Sequence, residues 1–250
     1  MGLIRNADDF GKSESVNRAV MTCFEKSFID RTTLMVNMDA AESAVGLARS
    51  AGFADRVGIH LNLTEGMPLT APIRSNPLFC DETGRFNAQF RRHRSCRLHL
   101  SNETIIQIRT ELKEQLKRFQ AWGLPLMHAD SHHHVHTDLP VFRVLQDLSK
   151  EYEFTSIRLS RNLYHGGSLP NAFYKKWYNA KVQKICRSTT DLFGSFPDLM
   201  AYAKKSELIT LLNEYQIELM LHPLYDENGT LLDTEIPMEE VDRTLRELLS

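Results

Sequence analysis

His128-Ala129-Asp130-Ser131-His132-His133-His134-Val135-His136 holds five of the chain's ten histidines and one aspartate. Gly123 and Pro125 lie just upstream and end the helical pattern before them. The apolar residues that follow predict a strand over 126–130, with the histidines at its C-terminal mouth. On a helix, the spacing His128-x-x-x-His132 would place both rings on one face. In a strand, His128 and Asp130 share a side instead. Spacing alone leaves open which histidine of the cluster binds a ligand.

Three other stretches repeat this arrangement. Asn6-Ala7-Asp8-Asp9-Phe10-Gly11 follows a strand predicted over 3–6, and Gly11 permits a sharp turn. Ile59-His60-Leu61-Asn62 lies in a strand over 57–63, and a strand over 217–221 delivers His222-Pro223. Helical stripes alternate with these strands. Val16, Val20 and Phe24 form one, behind a Ser13 cap. An alanine-rich helix is expected over 40–50, and Ile105, Ile108, Leu112, Leu116 and Phe119 mark a strong one. Further helices are expected over 139–152, around Leu208, Leu211, Leu212 and Tyr215, and from Pro237 onward.

Such alternation favours parallel strands with right-handed crossovers. The expected class is α/β, a deformed (β/α) barrel of about seven parallel strands, because in such a barrel chemical groups collect at the strand C-termini. A doubly wound open sheet is the alternative.

The chain has 250 residues, 42% of them hydrophobic and 25% charged, which suits one catalytic domain over 1–250. The segment 70–100 breaks the pattern with Pro72, Pro77 and Gly84 and carries six arginines. It is expected to be either a solvated insertion or a lid whose arginines, or Phe79, Phe86 and Phe90, touch substrate. A net charge of −2 argues against a nucleic-acid binder. No apolar run suits a signal peptide or a membrane span, and the four scattered cysteines suit a reducing compartment. The expected location is cytoplasmic.

One carboxylate and two imidazoles make an adequate set for a divalent ion, with positions left for water and substrate. Asp9, His60 and one cluster histidine supply such a set. Asp130 is placed to hold the far nitrogen of a ligand imidazole. Asp8 would then be free to accept a proton, and His222 to donate one to a leaving amine. His128, His134, His136 and Arg158 are expected around the ligands or against substrate. His93, His99 and His165 are expected on the surface.

Taken together, these four stretches, with Gly58-Ile59-His60-Leu61 and Glu218-Leu219-Met220-Leu221-His222-Pro223, resemble the YdjC/ChbG family of carbohydrate deacetylases. The resemblance runs from the first strand to the last. It implies a TIM-like barrel related to polysaccharide deacetylases. It also implies hydrolysis of an N-acetyl group from an amino sugar or short chito-oligosaccharide, with release of acetate. By motif position, Asp9, His60 and His132 would bind one divalent metal ion, magnesium or zinc. Asp8 would be the base and His222 the acid. A homodimer is the common assembly that the resemblance implies. Leu221 departs from the small residue or cysteine that many members place before His-Pro. Two readings from other classes share the ligand set: a non-haem iron oxygenase, and an inactive sugar- or metal-binding relative.

Overall fold

The computed structural model describes residues 2–163, 168–203 and 212–249. Seven strands form one parallel sheet: β1 (Leu3–Phe10), β2 (Arg31–Leu34), β3 (Val57–Leu61), β4 (His128–Ser131), β5 (Ser156–Ile157), β6 (Leu192–Ser195) and β7 (Ile217–Leu221). Their spatial order is β5-β4-β3-β2-β1-β7-β6. The first strand therefore lies against the last. A doubly wound sheet would place a mid-chain strand there, so this is the barrel order.

The deformation sits at the β5–β6 seam, where no strand ladder forms among the described residues. Asn162 and Leu163 instead donate their N–H groups to Phe193 O at 3.1 and 3.2 Å. Phe193 N–H returns a bond to Asn162 Oδ1 at 2.7 Å. An asparagine side chain thus substitutes for strand pairing across the gap.

Helices wrap the outside. They are α1 (Glu14–Glu25), α2 (Ala41–Ser50), α3 (Ala71–Arg74), α4 (Gln89–Arg92), α5 (Asn102–Ala121), α6 (Leu139–Leu148), α7 (Leu169–Ile185), α8 (Phe196–Ala203) and α9 (Met238–Leu249). Ser13 Oγ accepts Val16 N–H, so the expected cap forms, and Ser101 Oγ accepts Thr104 N–H at the start of α5. Helix α2 buries Ala41, Ala44, Val45 and Ala48, a stripe at spacings of three and four. None of the described helices is long and apolar enough to cross a membrane.

Some elements differ from expectation. Strand β1 runs to Phe10, because its register with β2 shifts between Ala7 and Phe10 and carries the pairing past a bulge. Helix α7 occupies a stretch whose mixed aromatic and basic residues give no clear period. A small antiparallel sheet of β8 (Pro223–Tyr225), β9 (Leu231–Asp233) and β10 (Ile236–Pro237) follows β7. Strands of two or three residues are too short to show alternation. Of the helix expected around Leu208, Leu211, Leu212 and Tyr215, residues 212–214 are helical, while Leu208 and Leu211 lie outside the described residues, as does His165.

In 70–100, the aromatics turn inward. Phe79, Phe86 and Phe90 are buried, and the Phe79 and Phe90 rings stack at 4.6 Å. They belong to the core, where burying them removes a large apolar area from water.

Candidate active site and metal centre

The inside of the barrel is polar. Alternate residues of each strand share a face, and here the inward set includes Asn6 and Asp8 on β1, Thr33 on β2, His60 on β3, Asp130 on β4 and Glu218 on β7. Contacts between strands that are not neighbours establish this. Arg158, just past β5, reaches Asp8 on β1 at 2.6 Å, Asp130 on β4 at 2.8 Å and Glu218 on β7 at 2.6 Å. Its guanidinium also lies over the Phe193 ring, 4.7 Å from the centroid. All four charged side chains are out of solvent. Burial opposes the Arg158 charge, but the three carboxylates outweigh it and raise its pKa well above the ordinary value.

At the mouth, backbone geometry brings both neighbouring aspartates to one place. Asp9 has φ 66°, the left-handed region, at the β1 bulge. A regular strand would point Asp8 and Asp9 to opposite faces, and this turn removes that conflict. Strain of this kind in a non-glycine residue is characteristic of functional sites. Gly58 serves the same end. A Cβ there would lie 2.6 Å from His128 O, so glycine lets β3 and β4 approach closely enough for His60 to reach Asp130.

Asp9, His60 and His132 bring their ligand atoms together. His60 Nε2 lies 3.2 Å from Asp9 Oδ1, and His132 Nδ1 lies 2.8 Å from the same oxygen. All three ligand atoms fall within 4.8 Å of one another. Bonds of about 2.0 Å in a tetrahedral site imply ligand separations of about 3.3 Å, so the donor set and its spacing fit a small divalent ion. Two imidazoles and one carboxylate could hold one.

Each of these two candidate ligand imidazoles is oriented from behind. His60 Nδ1 lies 2.6 Å from Asp130 Oδ1, and Asp130 also accepts from Thr33 Oγ1 at 3.0 Å. His132 Nε2 lies 2.8 Å from Glu65 Oε2. In the metal-free chain, burial works against a charge on His60, but Asp130 and Asp9 prevail and push its pKa up to about 10. The Asp9 carboxyl is desolvated by burial, yet its bonds to His132 and His60 hold it far below the usual carboxylate range.

Asp8 is the other mouth carboxylate. Its Oδ1 accepts from Asn6 Nδ2 at 2.8 Å and from Arg158 Nη2 at 2.7 Å. Its Oδ2 accepts from Arg158 Nη1 at 2.6 Å and faces His222 Nε2 at 3.9 Å. Burial disfavours the Asp8 charge, but the adjoining guanidinium wins and lowers its pKa well below the ordinary value. The His222 side chain is 37% exposed, and its backbone N–H donates to Asp233 Oδ1 at 2.7 Å. A buried carboxylate thus meets an accessible imidazole beside the ligand cluster.

The remaining cluster histidines separate. His133 and His134 have φ of 53° and 57°, so the chain reverses after His132; the His133 ring stays against the His132 ring, with centroids 4.0 Å apart and Nδ1 3.0 Å from Thr64 Oγ1, while His134 turns toward Phe193. His134 helps line a cavity of about 260 Å³ with Arg91, Arg97, Arg161 and Phe193. Burial and the nearby Arg158 push the His134 pKa down to about 3, which keeps the ring neutral. His136 is buried and bonded through Nδ1 to Ser131 Oγ at 2.5 Å, so it supports the turn. His128 is also buried; its Nδ1 bonds Ser156 Oγ at 2.6 Å and its Nε2 lies 3.3 Å from Glu218 Oε1. His128, Asp130 and Glu218 form a second tight group, but Arg158 already fills the space between the two carboxylates.

Sequence reasoning missed Glu65, Lys12 and Glu218 as parts of this site. Lys12 Nζ lies 2.9 Å from Glu65 Oε2 and 3.6 Å from Asp9 Oδ2. Glu218 had a legible signal, an acidic residue inside the apolar strand Ile-Glu-Leu-Met-Leu. Glu65 had none, because it sits on a loop whose path depends on tertiary contacts.

Comparison with known proteins agrees with this architecture. A family model described as YdjC-like protein matches residues 2–248. A carbohydrate deacetylase of Clostridium beijerinckii is 33% identical over 229 residues, covering 90% of this chain and 82% of that protein. A carbohydrate deacetylase of Thermoanaerobacter pseudethanolicus is 29% identical over 251 residues, covering 97% and 89%. A solved Enterococcus faecalis structure, described as a candidate cellobiose-phosphate cleavage protein, superposes with a TM-score of 0.70 at 22% identity, covering 98% of this chain and 94% of that one. At that identity the likeness speaks for the fold.

Proposed function

The chain belongs to the YdjC-like family, and from that premise we propose that it is a metal-dependent carbohydrate N-deacetylase. Its substrate is an N-acetylated amino sugar or short chito-oligosaccharide, and it releases acetate. The observation that carries this reading is the meeting of Asp9, His60 and His132 at one point, with Asp8 and His222 paired beside them.

Asp9, His60 and His132 would hold the ion. When bound, it supplies Lewis-acid polarisation of the acetyl carbonyl and acidifies water. Two imidazoles and one carboxylate favour zinc or another transition ion over magnesium. Asp8 Oδ2 accepts a proton from the attacking water as the new carbon–oxygen bond forms. Arg158 and Asn6 fix the angle of that carboxylate, so little reorganisation is needed at the moment of reaction. His222 Nε2, on the open side, gives a proton to the amide nitrogen as the carbon–nitrogen bond breaks. The products are acetate and the free amine. Proton exchange between Asp8 and His222 resets the pair.

An iron oxygenase would use the same three ligands but would leave the Asp8–His222 pair without work. An inactive relative would have no reason to hold that pair in contact across the mouth.

The test is an acetate-release assay with N-acetylglucosamine, its disaccharide and diacetylated oligomers, on metal-free protein and on protein loaded with zinc, magnesium or cobalt. Metal-dependent, oxygen-independent acetate release is expected. Asp8→Asn should remove turnover while the ion still binds. Wild-type rates in Asp8→Asn would overturn the base assignment, and no acetate from any loaded form would overturn the deacetylase reading.

A further inference from the structure

The two ligand imidazoles are backed by carboxylates of different kinds. Behind His60, Asp130 is wholly buried and is held by Thr33 Oγ1 at 3.0 Å and Arg158 Nη2 at 2.8 Å. That arm has no freedom to swing. Behind His132, the Glu65 side chain is 37% exposed and stands on the loop after β3. The loop is nevertheless well anchored. Asn62 Oδ1 accepts Glu65 N–H at 3.2 Å, and Glu65 O accepts from Asn62 Nδ2 at 2.7 Å and Asn37 Nδ2 at 3.0 Å. The Glu65 backbone is therefore fixed while its carboxylate reaches out to the rim, where Lys12 meets it.

We propose that Glu65, steadied by Lys12, is the positioning residue for His132, and that this arm, whose ring is buried but whose carboxylate reaches solvent, is where the ion is loaded and released. The inference rests on the metal centre proposed above. With an ion bound, a His132 Nε2–H donating to Glu65 would leave Nδ1, the nitrogen on the Asp9 side, as the lone-pair donor to the ion. Glu65 thus selects the tautomer that can ligate. The His60 arm stays behind as a fixed seat, because its ring and its carboxylate are both closed off from solvent. Exchange must then proceed by release of His132, and Glu65 sets how readily that happens. Lys12, near both Glu65 and Asp9, adds a positive charge on the entry side. It steadies the empty site and opposes the incoming cation.

The experiment uses the full chain loaded with cobalt(II) or zinc(II). Affinity is read by competition with a chromogenic chelator, and release by adding that chelator in excess. Loss of a carboxylate behind a ligand histidine weakens metal binding by about 10–100-fold. Glu65→Ala is expected to weaken affinity by that amount and to speed release by at least about 10-fold. Its cobalt absorption spectrum should also change. Glu65→Gln keeps a hydrogen-bond acceptor and should fall between wild type and Glu65→Ala. Far-ultraviolet circular dichroism checks that each variant is folded. Equal affinity and equal release rates in wild type and Glu65→Ala would overturn the inference and leave the metal centre standing. A wild-type protein that takes up neither ion would overturn both.

Discussion

Arg158 grips Asp8 with two parallel contacts, Nη1 to Oδ2 at 2.6 Å and Nη2 to Oδ1 at 2.7 Å, in the closed interior of the barrel. The same guanidinium holds Asp130, which orients His60. One residue therefore joins the proposed base to the proposed metal seat.

Removing that residue should cost both stability and turnover. Arg158→Met leaves Asp8, Asp130 and Glu218 as buried carboxylates without their shared partner. Breaking a buried pair on one side costs about 3–5 kcal/mol, so Arg158→Met should lose at least that much in urea unfolding. Arg158→Lys keeps a charge but loses the two-point grip on Asp8. It should fold more nearly like wild type and lose about 100-fold or more in turnover, the scale of a misplaced general base. Wild-type kcat in Arg158→Lys would show that the grip is not needed for reaction.

Gly58 makes a prediction about strand spacing. An added Cβ would meet His128 O at 2.6 Å and Thr33 Cγ2 at 3.1 Å, and backbone cannot rotate away as a flexible side chain could. Gly58→Ala should destabilise by about 1–3 kcal/mol, as overpacking does. It should also weaken metal affinity, because β3 carries His60 and β4 carries Asp130. Thermal unfolding and chelator competition measure the two effects.

The pH dependence follows from His60. Its folded, metal-free pKa is about 10, above the ordinary value of about 6.5 for a free imidazole. A raised folded pKa contributes stability that is complete below about pH 6.5 and is lost as pH climbs through about 10. An ion competes with the proton on the Nε2 that faces Asp9. Apparent metal affinity should therefore rise with pH up to about 10, with proton release on binding. Calorimetry in buffers of different ionisation enthalpy counts the released protons. A pH-independent affinity between about pH 6 and 9 would contradict the charge assigned to His60.

Two arginines of the segment 70–100, Arg91 and Arg97, line the cavity that also holds His134. Burial lowers the Arg91 pKa, with Asp138 opposing and Arg97 adding to the shift, so Arg91 carries a partly desolvated charge that a polar ligand would relieve. Arg91→Ala should raise KM by about 10-fold, the value of one hydrogen bond to a charged group, and leave kcat within a few-fold. Arg97→Ala should also lose some stability, because Arg97 Nε holds the buried Asp138 at 2.6 Å. An unchanged KM in Arg91→Ala would remove this segment from substrate binding.

The strand ends are legible in the amino-acid sequence because each is written locally. Gly11, Gly123, Pro125 and Pro223 punctuate the chain, and polar residues with chemical potential follow short apolar runs. That pattern is enough for a parallel barrel with Asp8, Asp9, His60, the histidine cluster and His222 on one face; only the family resemblance singles out His132 within the cluster. Elements without a local period, such as β8 to β10 and α7, carry no such signal.

Sequence alone determined which residue types follow each strand and in what order, since strand ends are written locally, and the parallel pairing of all seven strands then carries those ends to one mouth. Only the tertiary structure decided how they are used. It turned Asp9 through a left-handed residue, reversed the chain at His133 and His134, and brought Arg158, Glu65 and Glu218 to their partners. Those pairings join residues far apart in the chain, and no spacing rule reports which buried charges will meet once the barrel closes.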